Sequence, residues 1–285
     1  MTDADGTFGP PASSNRSYGR AMVSVSDPTA PEWTVLYRTA GVAALLYVAS
    51  LVAALVLFAV NPPPVSDGGE VLRFIAAHKV SYVAQQILWF VPAVFGLIVF
   101  VALFVVLFAT SPSLAVLGFA IGAASWTALL AVPVTSEGTL SLVTLSDQFV
   151  SANLAQQPGF VAAAEALLAE NGTPALAGVL TPLGILLISL PLSRGVLPHW
   201  VGWLGVGTGA LGLASEALRF AVPALYTVYG PLLWVWFAAV GVALLRLPLR
   251  DGASRGVGLP GEGMPTVAAP SASLDVATGG RRRRS

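Results

Sequence analysis

No cysteine occurs in the 285 residues of this chain, which removes disulfides, thiolate metal sites and thiol nucleophiles together. Charge is scarce as well. Asp, Glu, Lys and Arg make up 10% of the residues, where a soluble globular domain carries about 25%. His78 and His199 are the only histidines. Serines such as Ser125 and Ser189 fall within apolar segments, but no histidine lies there to activate one as a nucleophile. Repeated acidic residues along a segment, a sign of channel selectivity, are also missing. From these gaps the sequence is expected to encode no catalytic site, no metal site and no cofactor.

What fills the chain instead is apolar. Hydrophobic residues make up 55% of it, and the mean hydropathy is +0.78. A hydrocarbon core about 30 Å thick needs roughly 20 helical residues. Segments 36–60, 82–108, 114–134, 175–192, 200–222 and 228–247 meet that length. The expected fold is therefore all-α: a polytopic transmembrane bundle of six helices with a short helical extracytoplasmic cap. Arg16, Arg20, Arg38, Arg194, Arg246, Arg250 and Arg255 fall on one side of such a bundle, and Arg73, Lys79 and Arg219 on the other. Residues 135–174 on the other side hold no basic residue but contain Glu137, Asp147, Glu165 and Glu170. The positive-inside rule then places both termini in the cytoplasm. The same topology separates His78 from His199, so they cannot form a haem or metal pair.

Residues 1–33 and 250–285 are rich in small and polar residues and bury too little to offset ordering entropy. They are expected to be disordered tails flanking one domain, 34–249. Arg281, Arg282, Arg283 and Arg284 close the second tail, where they can contact anionic lipid. No folded basic surface accompanies them, so nucleic-acid binding is not expected. Two outer segments, 69–78 and 160–169, have helical patterning but are too short to span, and form the expected cap.

The fifth apolar segment holds the most information. Gly202, Gly205, Gly209, Gly212, Glu216 and Arg219 recur at steps of three and four, which sets them on one helical stripe. Small residues at that spacing allow close helix packing in lipid. Gly207-Thr208-Gly209-Ala210-Leu211-Gly212 matches a dinucleotide-binding pattern in form only, because no strand precedes it. Glu216 falls near the outer margin of the bilayer, about 24 Å along the helix from Trp200. Two readings stand side by side: an ion pair with Arg219 that fixes the helix end, or an outward polar pocket. The pocket would draw on Glu216, Arg219, Gln85, Gln86 and Glu137, with Tyr226 and Tyr229 at similar depth. Trp89, Trp200, Trp203, Trp234 and Trp236 are expected as interface anchors.

Arg38-Thr39-Ala40-Gly41, the segment Leu72 to Ala77, and Leu197-Pro198-His199-Trp200-Val201-Gly202-Trp203-Leu204-Gly205 resemble a family of uncharacterised bacterial multi-pass membrane proteins. Gly230, Trp234 and Gly241 fit the same resemblance, which spans residues 36–247. It implies a bacterial cytoplasmic membrane and carries over no site residues. The expected function is non-enzymatic, either as a packing or interaction subunit or as a small-ligand binder. A small-solute transporter is the alternative, and a lipid-modifying enzyme using Glu216 the weakest reading.

Overall fold

The computed structural model describes residues 31–64, 67–131, 134–135, 138–171, 176–195 and 197–255. Residues 1–30 and 256–285, including the Arg281 to Arg284 run, lie outside the described residues, as does Glu137. Among the described residues nine α-helices follow in order: α1 (Thr34–Val60), α2 (Gly68–Phe90), α3 (Pro92–Phe108), α4 (Pro112–Ala131), α5 (Ser141–Ser151), α6 (Gln157–Asn171), α7 (Leu176–Leu192), α8 (His199–Ala217) and α9 (Ala224–Arg255). A two-stranded antiparallel hairpin, β1 (Val134–Thr135) and β2 (Gly138–Thr139), sits between α4 and α5. The fold is otherwise all-α.

Helix ends follow local chemistry. Asp67 caps α2 by accepting a hydrogen bond from the Glu70 backbone N–H at 2.8 Å, which satisfies a donor that the first turn leaves without an internal partner. Pro92 opens α3 at a first-turn position, where its missing N–H costs nothing. Between α7 and α8, Gly195 adopts φ +116°, a left-handed conformation that disfavours a side chain. The chain there reverses direction within a few residues.

Six of the helices form a ring. Neighbours in contact run α1 to α3, α3 to α4, α4 to α7, α7 to α8, α8 to α9, and α9 back to α1. The ring interior is filled largely by aromatic side chains. Tyr47 stacks on Phe237 with centroids 3.9 Å apart, and Trp126 meets the same phenyl ring edge-on at 5.8 Å. Phe100 and Trp236 extend the group to α3 and along α9. A second, smaller apolar cluster joins α2, α5 and α6 through Val71, Leu72, Ile75, Leu142, Phe149 and Ala164. There the Ser146 hydroxyl donates to the Leu72 carbonyl at 2.7 Å, and the Lys79 ammonium pairs with Asp147 at 2.6 Å.

Among the described residues, five helical stretches are long and apolar enough to cross a membrane: Thr34–Val60, Gly68–Phe108, Pro112–Ala131, one within Gln157–Leu192, and Ala224–Leu247. The 19-residue α8 is long enough, but its glycines and Glu216 displace large apolar side chains and lower its hydropathy. The six expected spans thus become five among the described residues.

Several expected boundaries change. Within α2 the outer segment 69–78 meets the start of the second span at a kink, where His78 leaves helical geometry (φ −125°, ψ 30°). The His78 ring stays against Phe74 at 4.6 Å. The fifth segment stops at Ala217 rather than continuing to 222, so Arg219 lies in the turn beyond α8. The sixth starts earlier, at Ala224, and α9 extends to Arg255. Trp236 is not an interface anchor: it is fully buried among Phe100 and Phe237, because its turn of α9 faces the ring interior. Trp200 and Trp203 are exposed. Helix α5 departs from expectation altogether, since Ser, Thr, Asp and Gln mask its inward Leu142, Ser146 and Phe149.

Candidate functional site

The glycine stripe of α8 packs on α7. A methyl added at Gly202 would meet the backbone at Ser193, one at Gly205 the Ser189 hydroxyl, one at Gly209 the Leu186 side chain, and one at Gly212 Pro182. Partner numbers fall as the glycine numbers rise, so the two helices run antiparallel with residues directly opposed. Continuing one turn brings Glu216 against Gly178: a methyl on Gly178 would lie 2.5 Å from Glu216 Oε1. Gly207 points elsewhere, and a methyl added to it would meet nothing within 4 Å.

Glu216 is thereby carried into the bundle and is 5% exposed. A buried carboxylate is tolerated only with partners. Arg219 Nη1 lies 3.3 Å from Oε1 and 3.4 Å from Oε2, and the Tyr226 hydroxyl donates a hydrogen bond to Oε2. The Arg219 guanidinium also sits over the Tyr226 ring, 4.9 Å from its centroid, within reach of a cation–π interaction. The turn that ends α8 at Ala217 makes this possible, because it lets Arg219 fold back between α8 and the first turn of α9.

Arg219 and Tyr226 face a cavity of about 620 Å³ whose wall includes Tyr47, Trp89, Tyr229 and Trp234. A smaller cavity of about 240 Å³ shares Tyr47, Arg219, Tyr226 and Tyr229 and reaches Trp126, Asn171 and Thr181. Thr181 on its wall is hydrogen-bonded to Ser125, their hydroxyls 2.6 Å apart, and the Ser125 hydroxyl donates to the Ala177 carbonyl at 3.2 Å. The indole N–H groups of Trp89 and Trp126 are buried without a hydrogen-bond partner. The lining is mostly apolar, with donors at a few points. No group of three or more His, Cys, Asp or Glu that could hold a metal occurs among the described residues.

Of the five residues expected in a polar pocket, Glu216 and Arg219 come together, joined by Tyr226. Gln85 and Gln86 are buried on α2 and line neither cavity. Gln86 instead lies beside Gly138 of the hairpin, where Tyr82 donates to the Thr139 carbonyl at 3.2 Å. Glu137 lies outside the described residues. Tyr47 and Gly178 were missed by sequence reasoning. Tyr47 left one signal, a polar tip midway along a 27-residue apolar helix; Gly178 left none, because its role depends on which residue of α8 opposes it. Comparison with protein families, with curated proteins and with solved structures found no match for this chain.

Proposed function

We propose that this chain is a non-enzymatic membrane protein that binds a small, mainly apolar ligand in the cleft beside Arg219 and Tyr226. In this reading α8 is the sixth span, and the part of α2 before the break at His78 forms an extracytoplasmic cap with α5 and α6. Both termini lie in the cytoplasm of a bacterial cell, and the cleft opens outward. The carrying observation is the aromatic-lined cavity of about 620 Å³, within the roughly 300–1,000 Å³ of small-molecule sites.

The chemistry of the wall narrows the ligand. Glu216 already neutralises Arg219, so the site presents little net charge and does not favour an anion over a neutral molecule. The unpartnered Trp89 N–H favours a hydrogen-bond acceptor such as a carbonyl on an apolar body. Among the described residues the lining carries no histidine, and Arg219 holds the Glu216 carboxylate in an ion pair, which supports binding over turnover.

Gly230 supplies a direct test, because it lines the cavity and a Cβ added there meets nothing within 4 Å. Methyl decanoate is expected to raise the thermal midpoint of the purified protein, and decane to raise it less. Gly230→Phe, which fills the space, should abolish the difference. Equal stabilisation of wild type and Gly230→Phe would exclude this cleft as the binding site. Reporter fusions at each terminus test the topology separately; activity on opposite sides would overturn it.

A further inference from the structure

At the other end of α9 lies a second cavity, of about 740 Å³, that shares no lining residue with the cleft beside Arg219. It follows α9 from Val235 to Arg246, a rise of about 16 Å at ~1.5 Å per residue. Ala238, Ala239 and Ala243 form its floor, and their short side chains give it depth. Leu197 and Trp200, at the entry to α8, wall the end at which Arg246 stands. The groove opens sideways: Val235 and Trp200 on its rim are 54% and 58% exposed.

We infer that this groove holds one anionic phospholipid, with an acyl chain along the alanine floor and the phosphate on Arg246. The shape suits an extended chain better than a compact ligand, being long, apolar and open toward the side that faces lipid. Arg246 sits about 33 Å along α9 from Ala224 at ~1.5 Å per residue, a full hydrocarbon thickness away, and therefore at headgroup level. Trp200 stands at the same end, where an indole partitions to the interface. Both ion pairs found among the described residues, Lys79–Asp147 and Glu216–Arg219, leave Arg246 out. Its charge is available to a phosphate, and a guanidinium can contact two phosphate oxygens at once. A second copy of the chain fits less well, because a two-fold interface through this groove would bring the two Arg246 side chains toward each other.

Native mass spectrometry of the full chain, released from vesicles of equal phosphatidylglycerol and phosphatidylcholine, tests the assignment. One phosphatidylglycerol is expected to remain per chain, with about a fivefold preference over phosphatidylcholine, the scale of one interfacial charge. Arg246→Gln should bring the two lipids close to equal retention. Ala238→Phe, which projects into the groove from a half-buried position, should release both. Circular dichroism and the thermal midpoint of each variant establish that it remains folded, and Gly230→Phe, at the opposite end, should retain lipid as wild type does. Unchanged phosphatidylglycerol retention in both groove variants would overturn the proposal. So would equal retention of diacylglycerol, or a dimer that Ala238→Phe dissolves. None of those results bears on the cleft beside Arg219.

Discussion

Gly178 on α7 faces Glu216 on α8 with no room for a methyl group between them: one built on Gly178 would stand 2.5 Å from Oε1 and 2.7 Å from the carboxyl carbon. The absence of a side chain at one position thus sets where a charge is kept at another. Gly178→Ala must push the carboxylate away from Arg219 and Tyr226, and overpacking of this kind costs about 1–3 kcal/mol. Glu216→Ala removes the obstructing group, so the double variant should be less destabilised than the sum of the two singles. A thermal or denaturant double-mutant cycle reads that coupling directly; additivity would mean that the two residues do not interact.

Arg219→Gln should destabilise more than Glu216→Gln combined with Arg219→Gln. The first leaves a buried carboxylate without its counter-charge, a loss of about 3–5 kcal/mol where a pair is fully buried. Arg219 keeps 18% of its side-chain surface exposed, so the lower part of that range applies. Equilibrium unfolding in mild detergent distinguishes the two variants by their midpoints.

Tyr226→Phe removes one donor to Glu216 while keeping the ring under the guanidinium. The expected loss is about 1–3 kcal/mol, the cost of a buried acceptor deprived of a partner. Tyr226→Leu should lose more, because the ring contact with Arg219 disappears with the hydroxyl. Melting curves of the two variants rank them.

Gly209→Leu and Gly207→Leu provide a matched pair on one helix. The first drives a side chain into the α7 backbone near Pro182 and Leu186, whereas the second enters open space. Gly209→Leu should lower folded yield and thermal midpoint sharply. Gly207→Leu should leave both unchanged or slightly raised, since Gly is about 1 kcal/mol poorer than Ala in a helix and Leu is close to Ala. Size-exclusion profiles and melting curves of the two suffice.

Lys79→Ala should change little, although its contact with Asp147 is the shortest ion pair among the described residues at 2.6 Å. Both side chains are about half exposed, at 48% and 56%, and exposed pairs contribute about 0–1 kcal/mol. Ser146→Ala, which removes the buried bond to the Leu72 carbonyl, should cost more than Lys79→Ala in the same melting assay.

The apolar segments were legible in the sequence because lipid demands about 20 continuous apolar residues per helix, and that requirement is written locally. The α8 glycine stripe was legible for a similar reason: a period of three to four residues marks one face whatever lies opposite. Partners across the bundle were not. The pattern put Glu216 and Arg219 on one stripe, yet Arg219 reaches the carboxylate from a turn, after α8 has ended. Gln85 and Gln86 were expected at the depth of Glu216 but are buried on α2, where Gln86 lies beside the hairpin. Depth along a helix follows from counting residues, whereas direction around it depends on neighbours that only the folded chain supplies. Trp236 shows the same limit, since tryptophan near the end of an apolar run suits the membrane interface and the aromatic interior equally well.

The ring of helices has a consequence for biogenesis. Its last joint, where Gly41 of α1 meets Gly241 of α9 with backbone in near contact, links the first helix of the ring to be synthesised with the last. Helices inserted earlier wait in the bilayer with that edge bare, and synthesis proceeds from the N-terminal side. A ribosome stalled before α9 would leave an open arc with an unfilled centre, because Trp236 and Phe237 arrive only with that final helix. Such a stalled product would present the α1 edge to membrane chaperones and proteases, so cellular quality control would act on ring closure itself.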